Sequence, residues 1–220
     1  MKLETIRKKA RANLLEVEDI LAAGRKRVPG LQKELMRLSD ELGWSPTPFP
    51  AEGEHVVPLA KWARVAGAYA EGGIATLREL AGQQANRHYV VAMLVEVRTP
   101  EAAVALFDLF ADVLATPSWD CEVARDLVDA FNSLFFFSKP LIPTDEQAAT
   151  ARSFLMILYS MASTTTQQAH VLCALRGVGD RSTIEFMSTL EALPNPYEGV
   201  VKGALLAIRN RLRTREQGAS

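Results

Sequence analysis

Val95-Glu96-Val97-Arg98-Thr99-Pro100-Glu101, running on into Ala102–Leu114, and Arg176-Gly177-Val178-Gly179-Asp180-Arg181, running on into Ser182–Leu193, read as one object written twice. Each is the end of an apolar helix, a tight polar turn, and the start of an amphipathic helix. Thr99-Pro100 marks a helix start, because a hydroxyl caps free backbone N–H groups and proline has no N–H to lose at the first helical position. The two copies stand about eighty residues apart, two periods of about forty, a spacing at which helical hairpins stack.

Working outward, helical periods fill the chain. Ile6, Ala10, Leu14, Val17 and Leu21 predict one helix over Leu3–Ala23, with Gly24 as its stop. Pro29 then opens a second helix to about residue 42, with Leu31, Leu35, Leu38 and Leu42 on one face. These two form an N-terminal hairpin, 1–43. Ser45-Pro46-Thr47-Pro48-Phe49-Pro50 cannot be helical, since alternate prolines remove donors and force extended backbone, so 44–57 reads as a linker.

From 58 to 213 one helix follows another: Leu59–Tyr69, the breaker Gly72-Gly73, Ile74–Ala81, and about 85–97. Helix 100–115 should bury Ala103, Leu106, Phe107, Phe110 and Leu114; helix 121–137 should bury Val123, Leu127, Val128, Phe131, Leu134 and Phe135. Thr144 with Gln147 is a capping box opening a helix to about Ala162 that buries Phe154, Leu155, Leu158 and Met161. Helices 166–177 and 182–193 follow. Asn195-Pro196 should open the last helix, ending near Arg213, with a tail over 214–220. Val90–Val97 is apolar enough for a strand, but its neighbours are all helical.

Composition agrees. Alanine and leucine abound, and 48% apolar with 23% charged residues is ordinary for a globular chain. Met1–Ala23 carries charges throughout, so it is no secretory segment, and no apolar run approaches the ~18 residues of a membrane span. A soluble, cytoplasmic protein is expected, with no membrane partner. Cys121 and Cys173 lie inside apolar helical patterns and read as reduced thiols.

Around Val95–Leu114 and Leu172–Leu193 the pattern resembles HEAT or HEAT-like repeats, a likeness extending over about 58–213. Pro100 and Asp180 stand in the turns where that family favours such residues. The resemblance implies an all-α fold, a HEAT-like α-solenoid or an irregular stack of helical hairpins, whose usual work is binding. The long Ser138–Pro143 connection departs from a regular superhelix.

No residue set demands catalysis. G-x-S-x-G, the P-loop and G-x-G-x-x-G are all missing. Gly177-Val178-Gly179 contains G-x-G but follows a helix, where a dinucleotide turn must follow a strand. His170 lies one helical turn before Cys173, two ligands of the three or four a zinc site needs. His55 sits in the linker beside Glu52 and Glu54, and His88 begins an apolar helix. Thr164-Thr165-Thr166 reads as a cap. No catalytic residue, metal or cofactor is expected.

Charge is the remaining signal. Residues 1–37 hold ten basic and five acidic groups, and 200–220 five and one, while 101–146 hold nine acids against Arg125 and Lys139. Glu101, Asp108 and Asp112 fall on one face of a helix; Glu122, Asp126 and Asp129 fall on the polar face of the next. Glu101, Asp108, Asp112, Asp126 and Asp129 are therefore the candidate partner-binding residues, all expected at the surface. The function this favours is a non-enzymatic interaction module with an acidic face for a basic protein, an adaptor or a toxin-neutralising immunity protein. The rivals are a HEAT-like nucleic-acid-binding protein or a DNA glycosylase-like enzyme, similar to the HEAT-like DNA glycosylases in repeat architecture and using Arg7-Lys8-Lys9, Arg11, Arg25-Lys26-Arg27 and Arg209 to Arg215, and a structural homo-oligomer.

Overall fold

The computed structural model describes residues 2–43, 59–137 and 140–218, and among them the secondary structure is helical throughout. The helices are α1 Leu3–Arg11, α2 Val17–Arg25, α3 Leu31–Leu42, α4 Leu59–Gly72, α5 Ile74–Ala81 and α6 Arg87–Val97, with a 3-10 turn at Gln84–Asn86. Then come α7 Pro100–Leu109, α8 Ala111–Ala115, α9 Glu122–Phe135, α10 Asp145–Ser160, α11 Thr165–Val178, α12 Arg181–Ser188 and α13 Val200–Gly218. The chain forms two compact units, Met1–Val97 and Arg98–Ser220. The expected linker, 44–57, with His55, lies outside the described residues.

In the first unit the helix expected at Leu3–Ala23 is two. Asn13 takes a left-handed φ of 55° and closes α1: its N–H bonds Ala10 O at 3.0 Å, and the Leu14 N–H bonds Lys9 O at 2.8 Å. This paired closure satisfies the last carbonyls. A new start follows at Glu16, whose side chain and that of Asp19 cap each other's backbone. The break resets the helical phase, so Leu14 is 66% exposed, Leu21 is half-buried, and Leu15, Ile20 and Ala23 fill the core. Pro29 precedes the next helix rather than opening it; Gly30, with φ +70°, is the N-cap of α3. Leu42 remains partly exposed.

Gly24 is not a stop. It lies inside α2, buried against α4, where an added Cβ would stand 2.9 Å from the Ala66 Cβ. The next residue of α4, Gly67, is as close to α3: a Cβ there would be 2.7 Å from Gln32 Cα. Small residues thus let α2 and α3 both approach α4, the central helix of this unit.

The second unit is arranged around α11, which packs against α9, α10 and α13. Apart from His170, Arg176 is the one ionisable polar side chain it carries beside Cys173, and Ala169, Val171, Leu172, Ala174, Leu175 and Val178 are buried. Past its polar first turn, Thr165 to Gln168, the helix is mostly apolar and packs inward, with His170 left at the surface. Caps fix its neighbours in register. Thr99 accepts from Ala102 N–H, Thr144 and Gln147 cap α10 reciprocally, Thr164 and Gln167 do so for α11, and Asp180 and Thr183 for α12.

Four expectations fail here; the helix expected over 182–193 is α12, which ends at Ser188. Helix 100–115 breaks at Phe110, whose φ of −116° and ψ of 22° leave the helical region while its ring is fully buried. Met161 follows the end of α10 and is 49% exposed, because the helix stops at Ser160. The last helix begins at Val200; Pro194 O accepts from Tyr197 N–H and Tyr197 O from Val200 N–H, so turns occupy the stretch after Asn195. At its far end α13 runs to Gly218, past Arg213.

Candidate interaction surface

The five acidic candidates all lie in the second unit, on α7, α8 and α9. Glu101 is exposed in the first turn of α7. Its own backbone N–H and the Thr99 hydroxyl hold its carboxyl below the ordinary glutamate value, so part of its role is to finish the helix start. Asp108 and Asp112 are exposed on either side of the break at Phe110, so the stripe they were expected to share is divided between two short helices.

On α9, Asp129 is exposed and Asp126 is partly buried, not exposed as its helical position predicts. Asp129 reaches His170 Nδ1 of α11 at 3.8 Å. Although its side chain is 70% exposed, nearby protein displaces part of its water and pushes its pKa up; His170 opposes this and the Asp126 charge adds to it. Asp126 and Asp129 are neighbours by helical spacing; only the tertiary structure brings His170 beside them.

Asp108 borders one cleft with a second acid, which helical spacing does not show. It lines a cleft of 740 Å³ between α7–α8 and α10, and Glu146 stands on the opposite wall. Val104, Phe107 and Leu114 supply apolar surface to the cleft. Phe107 was expected in the core and is half-buried: one face stacks on Phe131, centroids 5.3 Å apart, while the ring lines the cleft. Val104, on the same helix, is 46% exposed. Among the described residues that line the cleft none is basic. The N-terminal turn of α10 also borders it; there the Thr144 hydroxyl takes the Gln147 N–H, and Asp145 and Glu146 already place negative charge at the helix start.

The basic clusters are placed otherwise than a phosphate-binding face needs. Arg7 grips Glu34 with two bonds, Nε–Oε1 at 2.8 Å and Nη2–Oε2 at 2.9 Å, and Arg37 adds a third at 2.7 Å. Those bonds hold the buried Glu34 carboxyl down at about 2. Lys9 pairs with Asp19 at 2.7 Å, Arg11 with Glu41 at 3.1 Å and Arg25 with Glu96 at 3.0 Å. Arg27 donates to the carbonyls of Ala70 and Glu71 at the end of α4.

On α13 the arginines divide, because residues two apart point to opposite sides of a helix. Arg209 and Arg213 are exposed. Arg211 turns inward and donates to Gly179 O, and burial lowers its pKa to about 10. Beside it Arg152 bonds Val178 O at 2.8 Å and pairs with Asp180 at 3.1 Å, so two arginines close the carbonyl end of α11.

Cys173 is half-buried, and its thiol is pushed up by burial, with Arg176 opposing and Asp129 reinforcing. Such a thiol is a poor nucleophile. Arg176 lies over the rings of Phe136 at 4.2 Å and Phe137 at 5.1 Å. His88 packs edge-on against Trp62 and Tyr89 in the first unit. Among the described residues no group of three or more His, Cys, Asp or Glu side chains is placed to hold a metal ion. No described helix is long and apolar enough to cross a membrane. No family model matches the chain, and neither a curated protein nor a solved structure matches it.

Proposed function

We propose that this chain is a non-enzymatic protein-binding module, HEAT-like in character, whose second unit presents acidic helix surfaces to a basic protein partner. The observation that carries the reading is where charge is exposed. Glu101, Asp108, Asp112 and Asp129 stand at the surface of the second unit, while Arg7, Lys9, Arg11 and Arg27 of the first helices bond carboxylates and carbonyls of their own unit. An acidic face speeds encounter with a cationic partner and repels phosphate. An adaptor and an immunity protein are both instances of this chemistry.

One observation favours a second reading. Arg209 and Arg213 are exposed one turn apart on α13, a small basic face that phosphate would fit. A fluorescence titration with duplex DNA at about 150 mM salt separates the two. Weak or no binding is expected. Tight binding that falls steeply with salt and is lost in Arg209→Gln/Arg213→Gln would replace the acidic-surface reading. In parallel, cross-linking in native cells should join α7–α9 to a basic protein.

A further inference from the structure

We propose that the cleft between α7–α8 and α10 is the seat of a helical segment of the partner, basic on its flanks and apolar along one stripe. This rests on the protein-binding reading and narrows it to one site and one kind of ligand. Three observations converge. The cleft is large enough, at 740 Å³, for several side chains, and its walls are two helical elements, the groove form that accepts an amphipathic helix. Val104 and Phe107 offer apolar surface that the unit's own core leaves uncovered. Asp108 and Glu146 face the same space from opposite walls, and no described lining residue is basic.

The chemistry selects the occupant. An anionic ligand would meet two carboxylates, and at the N-terminus of α10 it would also meet a first turn that already carries Asp145 and Glu146. A purely apolar segment would take water from both carboxylates and return no charge, at a desolvation cost. A helix with leucine-like anchors over Val104, Phe107 and Leu114, flanked by lysine or arginine reaching Asp108 and Glu146, satisfies both demands. Ala111 and Ala149, exposed and small, keep the groove open for such anchors.

The test uses the whole chain and a synthetic Leu/Lys peptide of about sixteen residues with leucine at i, i+3, i+4 and i+7. Its controls are a scrambled peptide of the same composition and a Leu/Glu peptide. Amide chemical shifts should move at the cleft residues with the amphipathic peptide alone. Ala149→Trp, which fills an exposed wall, and separately Asp108→Lys/Glu146→Lys should each weaken binding by about tenfold or more while circular dichroism stays unchanged. The charge reversal should also flatten the salt dependence. Equal binding of the scrambled peptide, indifference to both variants, or no binding would overturn the proposal. Shifts confined to Asp126 and Asp129 would overturn the cleft yet leave a protein-binding module standing. Tight binding of duplex DNA to the chain alone, lost in Arg209→Gln/Arg213→Gln, would remove both.

Discussion

Gly177 of α11 lies so close to Phe135 of α9 that a Cβ at residue 177 would stand 2.6 Å from the phenylalanine's Cβ and 2.7 Å from its backbone carbonyl. Neither neighbour is the loose end of a flexible side chain, so the helices must separate to admit a methyl group.

Gly177→Ala is therefore expected to destabilise by about 1–3 kcal/mol, the usual cost of overpacking. Gly203, inside α13, has open space around it. Gly203→Ala should stabilise by about 0.5–1 kcal/mol, through helix propensity. Urea denaturation of both variants checks the contrast. A neutral Gly177→Ala would contradict the close approach of α9 and α11.

The Glu34 cluster makes a pH prediction. Arg7 and Arg37 lower its carboxyl from the ordinary 4.5 to about 2. A depressed acid stabilises the fold above its unfolded pKa, and that contribution is lost as pH falls through the folded value. Glu34→Gln should cost about 1–3 kcal/mol near neutrality, screened in part because both arginines are half exposed. The difference between wild type and variant should be level from pH 8 to about 5 and shrink between 4.5 and 2. A difference that survives undiminished near pH 2.5 would assign the effect to packing.

The arginine run of α13 should separate by face. Arg211→Met removes the donor to Gly179 O at a half-buried position and is expected to lower stability by about 1–2 kcal/mol. Arg213→Gln, on the exposed side, should change it by less than about 0.5 kcal/mol. Thermal melts decide. Equal effects would mean that α13 does not pack by the face described.

Reversing the acidic surface should spare the fold. Asp108→Lys/Asp112→Lys is expected to shift stability by no more than about 0.5 kcal/mol, since both positions are exposed. Association with a basic protein partner should slow and lose salt dependence. Stopped-flow rates at two ionic strengths measure this; an unchanged on-rate would place the interface elsewhere.

The sequence by itself determined the helices and most of their starts. Thr99, Thr144, Thr164 and Asp180 cap groups three residues away, and α9 buries the apolar face its spacing predicts. Such interactions close within one turn, so a short window of sequence contains both partners. Only the tertiary structure decided the rest. Asn13 and Phe110 break helices that periodicity continues, because burial elsewhere outweighs a local pattern. Arg7 meets Glu34 across 27 residues, and Arg27 meets Ala70 across 43. Those pairings spend charge that composition alone presents as a free basic face. The cleft, too, needs α7–α8 and α10 side by side. Asp108 and Glu146 share it through the fold, and no spacing along one helix could have joined them.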